Sequence, residues 1–254
     1  MTFNFNSELY AAHDLVEGVD YARRYRRHER FDDTLDRTGD VPRTTILAPH
    51  GGGIEPGTSE LCLAVAGYHP ADLSQVPPAG VTYDYWMFEG LRDGDRGNRD
   101  LHVTSTGCDD GVAVALCAGS LSALTLHGMA GDDQAALVGG CHPDLRRELQ
   151  EGLCAAGFDA QDASQQDASQ RGELDGNARC NIANRTLLGM GAQLELSKPL
   201  RDAMFTEHTR AGRKHTTTPL FWRFVAACRD VLGRFEAEQI VARPDLRCLG
   251  KKRC

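Results

Sequence analysis

The sequence predicts a single α/β domain, and three observations carry that reading. Short apolar runs, TTILAPH at 44–50 and AALVGG at 135–140, suit buried strands. Segments with helical spacing of apolar residues alternate with them. Several of the runs empty into glycine-rich turns of the kind that link strands to helices. At 254 residues the chain is long enough to bury a core, its hydrophobic fraction of 41% is that of a globular protein, and no run is long enough to cross a bilayer.

In chain order, Leu9, Ala12, Leu15 and Val16 give a first helical pattern, followed by the charged stretch YARRYRRHERFDDTLDRTGD, whose interleaved acids and arginines predict mutual pairing on a solvated face. The strand TTILAPH then runs into HGGGIEPG. After that turn, Thr58 or Ser59 is placed to cap a helix through Leu61, Leu63 and Val65 that stops at Gly67. VTYDYWMFEG reads as a strand ending near Glu89, and LHVTST at 101–106 as another, with the arginine-rich turn LRDGDRGNRD between them. GVAVALCAG suits a short helix, the run LSALTLHG a strand delivering His127 at its carboxyl end, and AALVGG a further strand. A helix from Pro143 to Gly157 has proline at its start and glycine at its end. Residues 159–176 hold the tandem repeat QDASQ, read as a polar, mobile surface insertion without assigned function. AQLEL is a strand, and Phe221, Phe224, Val225, Cys228, Val231, Leu232 and Phe235 mark the apolar face of a C-terminal helix within 217–254, which closes in a basic tail.

Composition excludes several function classes. A net charge of -8 argues against general nucleic-acid binding and requires that any polyanionic ligand be held by local groups. The first residues show neither a positive leader nor a cleavage site, so a cytoplasmic start is expected, with no membrane partner. The nine cysteines show no metal-type pairs and read as reduced, mostly buried hydrophobes; Cys248 and Cys254 read as frayed thiols.

His50 and Glu55 are the side-chain types that catalytic zinc sites combine, and the glycines between them let one loop present both to one point. A plain strand-to-helix turn with both residues solvated is the alternative. Ligand sites in open α/β sheets lie beyond the carboxyl ends of strands, so His127, at such an end, can meet His50 in one crevice. Glu195 lies among the apolar residues Leu194 and Leu196 and needs a partner or a task, because burying an unpaired charge is costly. A general base beside a metal is one such task; a salt bridge to Lys198 or Arg201 is the other. Asn184 and Arg185 fall on a turn before that strand.

These residues together resemble the poly-γ-glutamate hydrolase family, zinc-dependent enzymes of some phages and bacteria that are distantly similar to zinc carboxypeptidases. The resemblance is carried by GVDY at 18–21, PHGGGIEPGTSEL at 49–61, YWMFEGL at 85–91, LHVTST at 101–106 and LTLHG at 124–128. It continues with VGG, AGF at 156–158, CNIANR at 180–185 and GAQLELSKPLR at 191–201, so that it covers residues 18–205 in family order. The resemblance implies a mixed sheet flanked by helices, one zinc per chain held by His50, Glu55 and His127, and Glu195 as general base. It also implies Arg185, oriented by Asn184, as a grip on substrate carboxylates, a poly-γ-glutamate substrate, and a monomer released by lysis where phage-encoded. Two departures stand out: Asp109 and Asp110 occupy the place of a proline-containing turn, and the C-terminal helix and basic tail extend past the match. Two alternatives remain at this level. One is a zinc amidohydrolase or peptidase of the same fold acting on a cell-wall γ-glutamyl link or an acyl-amino acid; the other is a non-catalytic polyanion-binding phage accessory protein.

Overall fold

The strand-forming runs pair into one seven-stranded sheet. The strands are β1 (Tyr21–Arg26), β2 (Thr44–Gly52), β3 (Asp84–Gly90), β4 (Ser122–Met129), β5 (Ala135–Gly139), β6 (Asp159–Asp162) and β7 (Ala192–Ser197). Across the sheet they lie in the order β1-β3-β2-β4-β7-β5-β6. The inner strands β3, β2, β4 and β7 are mutually parallel, whereas β1 on β3 and β5 on β7 are antiparallel, so the sheet is mixed. The helices are α1 (Asn6–Tyr10), α2 (Thr58–Val65), α3 (Asp95–Asn98), α4 (Gly111–Ala118), α5 (Pro143–Ala155), α6 (Lys198–Ala203), α7 (Arg210–Arg213) and α8 (Pro219–Ala242). The computed structural model describes residues 3–28, 44–78, 80–93, 95–166 and 174–242. Part of the charged stretch before β2, residues 167–170 of the second QDASQ copy, the basic tail, Cys248 and Cys254 therefore lie outside the described residues.

Strand alternation divides the core between the two faces of the sheet. Ile46, Ala48, Leu124, Leu126, Leu194 and Leu196 meet α2, α5 and α8 on one face. Leu47, Trp86, Phe88 and Ala123 meet α1 and α4 on the other. Phe221, Phe224, Val231, Leu232 and Phe235 of α8 are buried, and each such burial contributes about 1.5–3 kcal/mol, so the helix beyond the quoted motifs is part of the core. Among the described residues no helix is long and apolar enough to cross a membrane.

Three local expectations are corrected. Residues 101–106 form no strand: after a short 3-10 turn at Arg99–Leu101 they run as an extended loop, with Leu101, Val103 and Ser105 buried in a strand-like alternation but without a ladder. The stretch 159–176 is not wholly an insertion, because Asp159–Asp162 pair as the edge strand β6 and the small residues Ala160 and Ala163 are buried, a burial that polar neighbours hide in the sequence. The cap of α2 is neither Thr58 nor Ser59 but Gly57, in the left-handed region at φ 101°.

The departure at Asp109 and Asp110 has a structural account. Asp110 caps α4, accepting from the amides of Val112 at 2.9 Å and Ala113 at 3.0 Å, and it also accepts from the Tyr10 hydroxyl at 2.9 Å. Asp109 accepts from the backbone amide of Ser7 at 2.9 Å, so the pair ties α1 to α4. Asp110→Ala should lower unfolding free energy by about 1–2 kcal/mol, read from denaturant midpoints at unchanged slope.

Cys62, Cys108, Cys117 and Cys228 are buried free thiols, while Cys154 and Cys180 are exposed. Burial pushes the Cys108 thiol up to about 12 and raises Cys62, Cys117 and Cys228 as well. The thiolate is the reactive form, so at neutral pH a thiol reagent should label Cys154 and Cys180 first, and mass mapping of native protein should show the buried four protected until unfolding.

Candidate metal centre and active site

The site lies at the carboxyl ends of the parallel strands, where β2 and β4 end. In β2, continued alternation from Ile46 and Ala48 would send His50 to the α2/α5/α8 face. The pairing of β2 with β3 is irregular between Ala48 and Gly51, and the extra residue of such a bulge re-aims the side chains that follow. His50 consequently meets His127 of β4, with Nδ1 to Nδ1 3.1 Å. The loop after His50 folds back through a Glu55 amide to His50 carbonyl bond of 2.8 Å. Glu55 Oε1 then lies 2.8 Å from His50 Nδ1 and Oε2 3.6 Å from His127 Nδ1.

A fourth side chain, His102, comes from the loop that follows the 3-10 turn. Its Nε2 is 3.7 Å from Glu55 Oε1, and its ring stacks on His50 with centroids 3.9 Å apart. His50, Glu55 and His102 each offer a donor atom within 4.8 Å of the others. The sequence reading missed His102 because LHVTST looked like a strand; the available signal was a histidine beside the alternating residues Val103 and Ser105.

The same loop orients the other two imidazoles. His50 Nε2 donates to the Val103 carbonyl at 2.7 Å, and His127 Nε2 shares a hydrogen bond of 3.1 Å with Ser105 Oγ. A carbonyl only accepts, so the His50 proton sits on Nε2 and its Nδ1 presents a lone pair inward. That lone pair, the second inward-facing Nδ1 and the Glu55 carboxylate converge on one point, an electron-rich cluster that a cation would satisfy. Imidazole and carboxylate donors whose outer atoms are hydrogen-bonded are the arrangement that suits zinc. In the metal-free protein, protons on the imidazoles take the part of the cation: burial acts to push the Glu55 carboxyl up, but charge on His50 and hydrogen bonds from His102, His127 and His50 outweigh it and hold it well below the usual carboxylate range.

Glu195, on β7, lies opposite His127 in the parallel ladder, so both project from the α1/α4 face. It is buried, and Gln193 Nε2 donates to its Oε1 at 3.0 Å. Of the two cations weighed as salt-bridge partners, Lys198 pairs with Asp202. The Arg201 guanidinium is directed at carbonyls: Nη1 to Pro56 at 2.6 Å, Nε to Leu196 at 3.1 Å and Nη2 to Met129 at 3.4 Å. Burial lowers the Arg201 pKa, and the nearby carboxylates of Glu55, Asp202 and Glu195 act against that fall.

His50, Glu55, His102, His127 and Glu195 share the lining of one open cavity of about 260 Å³. The opposite wall is the segment 174–178 together with Asn181, which begins within the stretch read from sequence as an insertion. This wall is fastened from behind. Gln193 Nε2 donates to the Leu174 carbonyl at 3.2 Å, and the Gly140 amide donates to the Asp175 carbonyl at 2.8 Å. At Gly176, φ is +60° and an added Cβ would stand 2.5 Å from the Gln193 side chain.

Asn184 and Arg185 are not among the cavity-lining residues. Asn184 is buried and uses its amide on the backbone, accepting from Cys141 and Gly191 amides at 3.0 and 3.1 Å and donating to Gly176 and Ala178 carbonyls at 2.7 and 2.9 Å. It therefore holds the wall in place rather than facing the cavity. Arg185 donates to the Cys108 carbonyl at 3.0 Å, on the side toward α4.

Comparison with known proteins gives a consistent family. The SPbeta prophage-derived protein YoqZ of Bacillus subtilis (strain 168) is 37% identical over 204 residues, 80% of this chain and 65% of YoqZ, so the match spans less than two thirds of that relative. YndL of the same organism is 30% identical over 235 residues, 92% of this chain and 82% of YndL. Among solved structures, a bacteriophage poly-γ-glutamate hydrolase superposes with a TM-score of 0.73 at 27% identity, covering 93% of this chain and 99% of that one. The zinc-free form of YndL superposes with a TM-score of 0.72 at 28% identity, covering 92% and 98% of the two chains. The family described as Poly-gamma-glutamate hydrolase matches residues 22–227, from β1 into α8, and the chain belongs to it.

Proposed function

We propose that this protein is a zinc-dependent hydrolase that cleaves γ-glutamyl amide bonds of poly-γ-glutamate, with His50, Glu55 and His127 as metal ligands and Glu195 as general base. The observation that carries the reading is the convergence of two imidazole nitrogens and a carboxylate within 3.6 Å, with a second carboxylate on the neighbouring strand of the same cavity. A zinc ion held there supplies Lewis acidity, which acidifies water and polarises an amide carbonyl. Three protein donors leave a tetrahedral position open, whereas four would close it. His50 and His127 have outer nitrogens fixed by hydrogen bonds, and no such bond is found at His102 among the described residues; His102 is therefore assigned to the cavity rim beside the ligands.

In this reading Glu195 takes the proton of the attacking water and passes it to the departing amine, the part of a general acid-base pair. Gln193 holds one Glu195 oxygen by its amide, and Glu195 is among the residues lining the cavity. Neutral polar side chains line the walls, among them Ser105, Thr106, Asn177 and Asn181.

A second reading has its own support. No lysine or arginine is among the described residues lining this cavity, which favours a short γ-glutamyl or acylated amino-acid substrate over a polyanion. Elemental analysis of purified protein, coupled to viscosity loss and end-group release from poly-γ-glutamate, tests the first reading. The expected result is one zinc per chain and chain shortening that chelator abolishes and zinc restores. Polymer binding without shortening would overturn it in favour of a binding protein, and release of amine only from peptidoglycan fragments or acyl-amino acids would move it to the second reading.

A further inference from the structure

The structure assigns to Arg201 the role of positioning residue for the whole centre: one guanidinium clamps the three chain segments that carry the metal ligands and the base. This inference rests on the proposed zinc hydrolase reading. The carbonyls it binds are not arbitrary. Pro56 follows Glu55, Leu196 follows Glu195, and Met129 lies just beyond His127 on β4, so a single planar group ties the loop after β2, the end of β4 and the end of β7. A lysine has one nitrogen and cannot span these three directions; the fork of a guanidinium can. Arg201 is itself fixed at 6% exposure on α6, whose start is capped by Ser197 of β7 through the Leu200 amide.

Gly128 completes the device. Its amide donates to Glu55 Oε2 at 2.8 Å, and its missing side chain admits Arg201: an added Cβ would lie 2.5 Å from Cζ and 2.8 Å from Nε. The residue between His127 and Met129 thus touches the ligand carboxylate on one side and the clamp on the other. A fixed positive charge there also stands near both Glu55 and Glu195, the two carboxylates the chemistry needs ionised.

Arg201→Ala, Arg201→Lys and Gly128→Ala separate this role from ordinary stability, since the last perturbs the clamp while leaving every donor in place. Each is compared with wild type in zinc affinity by chelator competition, in kcat and KM on poly-γ-glutamate, and in the imidazole NMR signals of the metal-free protein. Loss of an outer partner lowers metal affinity or activity by about 10–100-fold, and that range is expected for Arg201→Ala and Gly128→Ala, mostly in kcat. Arg201→Lys should recover little, and added guanidinium should restore part of the zinc affinity of Arg201→Ala. Should Arg201→Ala not fold, the other two variants decide. Variants that melt earlier yet keep wild-type zinc affinity, kcat and histidine signals would overturn the clamp. If wild type neither retains zinc nor cleaves the polymer while the variants shift or broaden the histidine signals relative to wild type, the clamp stands and the hydrolase reading falls.

Discussion

Glu195→Gln should retain its zinc and lose about two to four orders of magnitude in kcat, the range that a positioned general base contributes. The substitution is close to isosteric and keeps an oxygen for the Gln193 amide, so the β7 ladder and the cavity wall are expected to persist. What disappears is the ability to accept a proton. Viscosity loss on poly-γ-glutamate, measured beside zinc content, separates the base from a ligand: a variant that sheds zinc would make Glu195 part of the metal shell. Equal viscosity loss by variant and wild type would remove it from the chemistry altogether.

His127→Ala and His102→Ala should part company. His127 has its inner nitrogen 3.1 Å from that of His50 and its outer nitrogen bonded to Ser105, so its loss takes away a ligand. Zinc affinity is expected to fall by more than the ~100-fold that marks the upper end for an outer-sphere partner, and activity with it. His102 is more exposed than His127, with a quarter of its side chain accessible against 3%. Its removal should leave near-stoichiometric zinc and act mainly on turnover or substrate affinity. Competition with a chelating dye reads both variants, and zinc loss in His102→Ala comparable to that in His127→Ala would place four protein donors on the metal and close the coordination position the proposal needs.

The alternation of strands and helices was readable because each buried strand carries its own apolar run and each helix its own stripe, as at TTILAPH and from Phe221 to Phe235. The mixed topology was not in those patterns: β1 lies in the charged stretch read as a solvated face, and the apolar run of β5 signals extended backbone but not direction; the mixed sheet came from the family resemblance. Residues 101–106 misled because alternation reports burial of one side of an extended chain, and a loop packed on the core along one side is buried in the same rhythm as a strand. His50 and His127 were legible as histidines ending apolar runs, Glu55 as a carboxylate in the glycine loop and Glu195 as a carboxylate inside an apolar strand. The turning of His50 toward His127 depends on a pairing irregularity between β2 and β3, and no local pattern in β2 announces it. Asn184 and Arg185 were legible as a motif but not as to direction, because the backbone groups that occupy them are set by the folded loop and, at Cys141 and Cys108, lie far away in sequence.

The wall opposite the ligands is held at its back by Gln193, a residue of the same strand as Glu195 and two positions before it. Altering substrate preference by grafting segments from relatives therefore has an inbuilt limit. Asn177 and Ala178 can be exchanged freely in such chimaeras, but Gly176 should be kept: any larger residue there would push on Gln193 and, through it, misalign the proton acceptor. Recognition and turnover would then drift together along this edge.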